Sequence, residues 1–271
     1  MSPDADPLPL DVTRGPLVGT LRLLHRPGRP LVLPNVWDVE SARAVEAAGF
    51  DAVATSSAAI AAELGLADGQ VGAGPMLAQV TRIVRAVRVP ATADLERGYG
   101  LAATELVERL AATGAAGCNL EDSDPLTGEL VDAQAQADFL TGVRAAAVDA
   151  GVDLVVNARI DTVLHGAGSG TRQLADIIRR AQLYLGAGVD CVYPFLLTEP
   201  RAILALVERT PGPVNILCTA RVGSLADLAT LGVARISFGP ALRRLPTGDR
   251  PRALRTILDG GNPLAPAGRQ L

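Results

Sequence analysis

The sequence predicts an α/β protein of the (β/α)8, TIM-type barrel class, built as a single domain, and three observations carry that prediction. First, a glycine followed at once by an apolar strand recurs, as GFDAV at Gly49, GAAGC at Gly114, GVDLV at Gly151, GVDCV at Gly188 and GVARI at Gly232. The gaps of 65, 37, 37 and 44 residues fit two βα units and then one unit each, since a parallel crossover with its helix consumes a segment of that size. Second, the apolar runs are nearly continuous rather than alternating, as they must be when both faces of a parallel sheet are covered. Third, a chain of 271 residues is long for an ordinary domain but normal for one closed barrel with a large core. No GxGxxG follows the first strand, which weakens an open dinucleotide-binding sheet.

Taken in order, residues 1–27 read as a polar lead-in. The first fifteen carry Asp and Pro with no apolar stretch of the kind a signal peptide needs, and His25 sits in an Arg- and Pro-rich segment that reads as surface. The barrel is expected over residues 28–258, with strands near 31–36, 51–56, 90–95, 117–121, 153–159, 190–195, 213–218 and 234–239. Val89-Pro90 opens the third of these, the strand that lacks a leading glycine. Helical spacing fills the gaps, as with Leu174, Ile177, Ile178, Ala181 and Leu185 behind a candidate cap at Thr171. The Pro- and Gly-rich residues 259–271 read as a flexible tail.

Composition removes several classes of function. With 48% hydrophobic residues and a net charge of −4, neither disorder nor a nucleic-acid-binding face is indicated. The apolar runs fall well short of the ~20 residues a membrane span needs, so a cytoplasmic location is expected. Cys118, Cys191 and Cys218 lie singly inside apolar runs and read as buried thiols rather than disulfides or zinc ligands. All 25 basic residues are arginine. Without a lysine, a Schiff-base aldolase, a pyridoxal-phosphate enzyme and a Walker-type phosphate loop cannot be built.

Charge gathers where the apolar runs stop. PATADLERGYG ends one strand on Asp94 and Glu96, GCNLEDSD ends another on Glu121 and Asp122, and LVVNARID ends a third on Arg159 and Asp161. In a barrel the strand C-termini converge on one mouth, which would gather Asn35, Trp37, Ser56, Ser57, Asp94, Glu96, Glu121, Arg159, Asp161 and Tyr193. Carboxylates and waters suit magnesium, with manganese as the alternative, while the lack of a His pair argues against zinc or non-haem iron. Arg159 offers a fixed fork for a carboxylate, and the Ser56–Ser57 hydroxyls and amides offer a second anion contact. Bland readings stand beside these. The acids could cap helices, Trp37 could be packing, Asp68 could be a solvated loop residue, and His165 could be an ordinary loop histidine or a proton donor.

The motifs NVWDVESARAVEAAGFDAVATSSAAIAAELGLADG, ADLERGYG, NLED and NAR together resemble the isocitrate lyase and phosphoenolpyruvate mutase superfamily, from about Leu31 to Gly239. The resemblance implies an α/β barrel that uses magnesium to stabilise the enolate of a 2-oxo acid, and a homo-oligomer, dimer or tetramer, with helix exchange. It implies that Asp94, Glu96 and Glu121 surround the metal and its waters, that Asp68 lies beside them, and that Arg159, Ser56 and Ser57 hold a small carboxylic acid. The sequence departs from the pattern after the fourth strand. Lyases of the superfamily carry a Lys-Lys-Cys-Gly-His loop there and mutases a lysine-containing one, whereas this chain reads DSDPLTGELVDAQ. The expectation is therefore a lyase or hydrolase that breaks a carbon–carbon bond but handles isocitrate poorly. A carbon–phosphorus hydrolase or mutase is the runner-up, and a barrel that binds ligand without turnover is the alternative from another class.

Overall fold

A computed structural model describes residues 15–266 apart from Leu126, Ala167 and Ser169, so the outer parts of the expected lead-in and tail lie outside the described residues. Nine strand segments are present among the described residues: β1 (Leu31–Leu33), β2 (Asn35–Val36), β3 (Val53–Thr55), β4 (Ala91–Asp94), β5 (Gly117–Glu121), β6 (Val155–Ile160), β7 (Cys191–Pro194), β8 (Asn215–Leu217) and β9 (Arg235–Ser237). All pair in parallel, in two arcs ordered β2-β3-β4-β5-β6-β7 and β1-β9-β8.

The arcs join into one ring. β1 and β2 are a single passage interrupted at Pro34, where the missing N–H breaks the ladder. At the other seam Val192 bridges Val214, and the Val192 amide donates to the Pro213 carbonyl at 3.0 Å. The Asn35 side chain crosses the first seam, donating to Thr55 O at 2.8 Å and accepting from the Phe238 amide at 2.7 Å. Eight strand positions therefore close as the glycine repeat predicts.

Helices cover the outside: α1 (Gly15–Leu24), α2 (Val39–Ala47), α3 (Ser57–Glu63), α4 (Ala73–Ala86), α5 (Ala103–Thr113), α6 (Ala133–Asp149), α7 (Gly170–Gly186), α8 (Pro200–Arg209), α9 (Leu225–Thr230), α10 (Ala241–Arg244) and α11 (Arg250–Leu258). Their starts are chemically specified. Asp38 and Ser41 form a capping box on α2, Ser224 and Asp227 form one on α9, and Asp132 accepts from two amides of α6. On α7 the apolar spacing does its expected work, since Ile177, Ile178, Ala181 and Tyr184 are buried. The helix already begins at Gly170, so Thr171 lies inside its first turn rather than capping it. Gly117 opens β5 because nothing larger fits: a Cβ there would lie 2.3 Å from the Val155 carbonyl oxygen.

Residues 15–25, expected as part of a polar lead-in, instead form α1 and its exit. Val18 and Leu21 are buried in a cluster with Leu31, Leu33, Ala52, Ala54, Ala116 and Val155, sealing the base of the barrel. The sequence misled because Arg22 and Arg26 sit among the apolar residues. Arg22 is in fact spent on Asp153 and Asp190, at 2.6 and 2.7 Å. His25 is buried, not superficial, with Nδ1 2.8 Å from the Leu21 carbonyl. The expected tail is likewise anchored at its start, where Gly260 O accepts from the Leu225 amide and Asn262 donates to the carbonyls of Thr219 and Val222. All three cysteines are free and buried, as expected. Among the described residues no helix is long and apolar enough to cross a membrane.

Candidate active site at the carboxyl end of the barrel

Strand register brings the acidic strand ends together. Asp94 pairs with Asn119, Glu121 with Arg159, and Arg159 with Tyr193 across β4 to β7. The turn after β4 is drawn onto β5 by two backbone bonds, from the Leu95 amide to Asn119 O and from the Glu121 amide to Glu96 O, at 3.3 and 2.9 Å. Glu96 and Tyr99 in that turn both adopt left-handed backbone, with φ of 52° and 58°. That conformation is uncommon for residues other than glycine and is usually kept for a functional reason.

The capping explanation for these acids fails on geometry. The helix after the turn, α5, has Ala102 at its N-cap and no side-chain cap bond, and α6 is capped by Asp132. Asp94 does meet a helix start, but that of α3 on the neighbouring strand: Oδ2 accepts from both the amide and the hydroxyl of Ser57 at 3.0 Å. Its own amide donates to Thr55 Oγ1 at 2.9 Å. Ser56 caps α3 through a bond from the Ala59 amide.

Arg159 is held rigidly. Nη1 lies 2.6 Å from Glu121 Oε2 and Nε 2.6 Å from Asp161 Oδ1, while the guanidinium carbon stands 3.8 Å from the centroid of the Phe195 ring. Tyr193 meets the same ring edge-on at 5.7 Å. Neither of these two ion pairs engages Nη2. Behind Arg159, buried Asp161 accepts from Ser123 Oγ at 2.5 Å, and its amide donates to Asp122 Oδ1 at 2.7 Å. Asp122 also accepts from Arg180 Nη1 at 3.0 Å and from the Tyr184 hydroxyl at 2.7 Å.

Burial and crowding of like charge shift the carboxyls at the mouth. Burial, with Asp94 and Asp68 adding to it, pushes Glu96 up to about 7. Burial also pushes Glu121 up, reinforced by Asp161, Asp94 and Glu96 and opposed by Arg159. Asp68, in the loop between α3 and α4, is raised first by partial burial and then by Asp94, with Arg159, the Gly69 amide and Arg244 opposing. Perturbed acids of this kind concentrate at functional sites.

The other expected site residues divide. Asn35 spends its amide on the barrel seam described above. Trp37 turns outward: its ring lies 4.8 Å below Arg250, and its carbonyl accepts from Gln79. It lines a groove of about 470 Å³ between α2 and α11 that none of the mouth carboxylates borders. Trp37 is packing rather than recognition here. Tyr193 is buried, and burial raises its phenol above the ordinary range, opposed by Arg159 and Ser237.

Residues that the motif reading passed over complete the surroundings. Asp122, Arg180 and Tyr184 form the support behind β5 and β6. The first was legible in NLED, but its partners lie on a helix face 58 and 62 residues away. Arg235 is fully buried inside the barrel, donating to Asn119 Oδ1 at 3.0 Å and facing His25 Nε2 at 3.5 Å. No carboxylate among the described residues bonds to it. Burial and the Arg235 charge depress His25 to about 4, so a neutral imidazole receives the guanidinium.

Whether a divalent cation fits is decided by the donor set. Among the described residues, no three His, Cys, Asp or Glu side chains stand as a ready ligand cage. Asp94 is shared with Ser57, and Glu121 with Arg159. Glu96 Oε1, however, is buried without any hydrogen-bond partner, and an orphaned carboxylate oxygen requires a cation or a donor. Such a mouth suits magnesium, which keeps several waters and takes only one or two carboxylates directly, better than a metal needing a full protein cage. Asp94 and Glu96 are the residues that would hold it, with Glu121 reaching its waters.

Comparisons with known proteins identify the family. The profile of the family described as phosphoenolpyruvate phosphomutase matches residues 21–258. A crystal structure from Burkholderia cenocepacia J2315 is 40% identical, with a TM-score of 0.81, covering 92% of this chain and all of that one. The oxaloacetate decarboxylase of Rhodopseudomonas palustris (strain TIE-1) is 33% identical over 92% of this chain and 88% of its own. The structure of 2,3-dimethylmalate lyase is 25% identical with a TM-score of 0.75, covering 94% of this chain and 91% of that one. The α/β barrel, the acidic mouth and these matches together place the chain in the phosphoenolpyruvate mutase/isocitrate lyase superfamily, a family of lyases and mutases.

Proposed function

We propose that this protein is a magnesium-dependent lyase that cleaves a carbon–carbon bond of a small 2-oxo or 2-hydroxy carboxylic acid through an enolate. The observation that carries the reading is Arg159, a guanidinium fixed through Nη1 and Nε by Glu121 and Asp161 and stacked on Phe195, at the same mouth as the partnerless Glu96 oxygen; in this reading its remaining nitrogen meets the substrate carboxylate. When bound, magnesium would supply positive charge beside the oxygens of an oxalate-like or pyruvate-like fragment. Arg159 orients the substrate carboxylate and removes part of the entropic cost of reaching the reactive geometry. Ser57 fixes Asp94, and Asp161 fixes Arg159, so little reorganisation is left for the moment of bond cleavage. Glu96 and Glu121, with their raised pKa values, can exchange protons near neutrality. Asp68, in the loop between α3 and α4, is assigned beside this cluster on the coupling of its carboxyl to Asp94 and Arg159.

The relatives named oxaloacetate decarboxylase and 2,3-dimethylmalate lyase support the carbon–carbon reading. The family described as phosphoenolpyruvate phosphomutase keeps a carbon–phosphorus hydrolase or mutase as the second reading. Against it stands the lack of lysine, which leaves a transferring phosphoryl group only arginine and metal. Steady-state assays with oxaloacetate, 2-methylisocitrate, isocitrate and phosphonopyruvate test this. We expect turnover of a small acid that chelator abolishes and magnesium or manganese restores, with isocitrate poor because the turn after β5 offers no cysteine acid. Efficient isocitrate turnover, zinc bound by the cysteines, or binding of magnesium and oxalate with no turnover of any acid would each reject it, the last in favour of a ligand-binding barrel.

A further inference from the structure

We propose that His165 and Ser123 are positioning residues for Arg159, acting through Asp161 as a hydrogen-bonded chain that joins the loops after β5 and β6 to the substrate guanidinium. This rests on the reading of Arg159 as the carboxylate-binding group. The chain is continuous: His165 Nε2 lies 2.8 Å from Ser123 Oγ, Ser123 Oγ lies 2.5 Å from Asp161 Oδ2, and Asp161 Oδ1 lies 2.6 Å from Arg159 Nε. Its direction follows from donor arithmetic. Asp161 accepts from Arg159 Nε, so as a carboxylate it also accepts the single hydroxyl proton of Ser123. Ser123 then has only lone pairs to offer His165, and His165 must carry its proton on Nε2. Charge alternates along the same line, with donors at His165 and Arg159 on either side of the Asp161 carboxylate.

The two oxygens of Asp161 explain why the far end matters. Its side chain is fully buried and has one side-chain partner on each oxygen. Losing the Ser123 bond leaves Oδ2 unsatisfied, and the carboxylate then gains by turning toward a shared contact with Arg159, which moves Nη2 away from the substrate edge. Each outer partner sits on a turn. Ser123 lies in the bridge with Leu130, and His165 closes a turn by donating its amide to Asp161 O at 3.1 Å. The half-exposed imidazole is the place where solvent reaches this chain.

The test uses the full-length protein and two kinds of readout. The Arg159 Nε–H resonance, assigned by its loss in Arg159→Lys, should exchange slowly with solvent in the wild type without any ligand. It should exchange at least about tenfold faster in Ser123→Ala and His165→Leu, and recover in His165→Gln, which keeps an N–H donor near the same point. On an accepted small 2-oxo acid, KM should rise about tenfold in His165→Leu while kcat changes less than about threefold, since the loss is in ground-state orientation. Unchanged Nε–H exchange in both Ser123→Ala and His165→Leu overturns the proposal, as does a Gln variant no better than Leu at unchanged melting temperature. If the resonance responds as expected but no 2-oxo acid is bound or turned over, the positioning chain stands and the substrate reading fails.

Discussion

The two sides of the barrel mouth are built on opposite principles. On the β5–β6 side every charged group has a partner: Glu121 and Asp161 flank Arg159, and Asp122 holds Arg180, Tyr184 and the Asp161 amide. On the β4 side the turn from Leu95 to Gly100 is held in left-handed backbone at Glu96 and Tyr99, and Glu96 Oε1 and the Tyr99 hydroxyl are both buried without partners. The wired side satisfies its own charges, while the strained side holds two buried polar atoms that the fold leaves unsatisfied. Under the proposed function the two would be complementary, a rigid fork for an anion and a carboxylate whose solvation has been removed in advance of a cation.

The contrast can be broken at the wired side with the largest effect. Asp122→Ala leaves Arg180 and the Tyr184 hydroxyl without their buried acceptor, and should lower unfolding free energy by about 3–5 kcal/mol, read as a shift of the urea midpoint. A loss below about 1 kcal/mol would mean that the network is dispensable. Arg159→Lys keeps the charge but cannot meet Glu121 and Asp161 with one planar fork. It should lower kcat/KM about a hundredfold on any accepted acid, with the fold intact by circular dichroism.

The strained side should respond in the reverse sense. The folded-state value for Glu96 is about 7 against an ordinary 4.5, so its contribution is fully present below 4.5 and is lost as pH rises through 7. Neutral His25, depressed to about 4, contributes with the opposite sign over nearly the same window. The Glu96 share is therefore read as the difference between metal-free wild type and Glu96→Gln, and the variant's advantage should narrow as pH falls from 7 to 5. An advantage that stays constant over that range contradicts this assignment. Asp94→Ala should remain folded yet lose the magnesium-dependent rise in melting temperature. Smallest of all, Glu96→Gln should change metal-free stability at pH 7 by less than about 1 kcal/mol or increase it, because the substitution removes a charge that the fold does not pair.

How far the sequence carried the site differs between the two sides for a physical reason. Apolar runs that stop at Asp94, Glu96, Glu121 and Arg159 are local patterns, and a barrel has only one place to bring strand ends together, so the mouth was legible. The eight-strand repeat was legible too, apart from the break at Pro34. Partners at large sequence distance were not. Arg180 and Tyr184 look like ordinary positions on the inner face of α7, and nothing in DSDP announces that Ser123 meets His165. Trp37 was misplaced because strand-end position does not fix side-chain direction once the chain has turned into α2. Arg235 was invisible as a core residue, since arginine in a strand is normally read as facing water.

The helix at the base, α1, makes the barrel a vessel with one opening. Trimming the chain to a start at residue 28, where the repeat begins, would remove Val18, Leu21 and His25 together. Water would then enter from below and reach Arg235, Asn119 and Asn157, polar groups now enclosed in the interior. The distant mouth would lose the dry floor against which its charges act. The smallest piece of this chain that keeps the barrel interior closed is therefore longer than the piece that carries the strands.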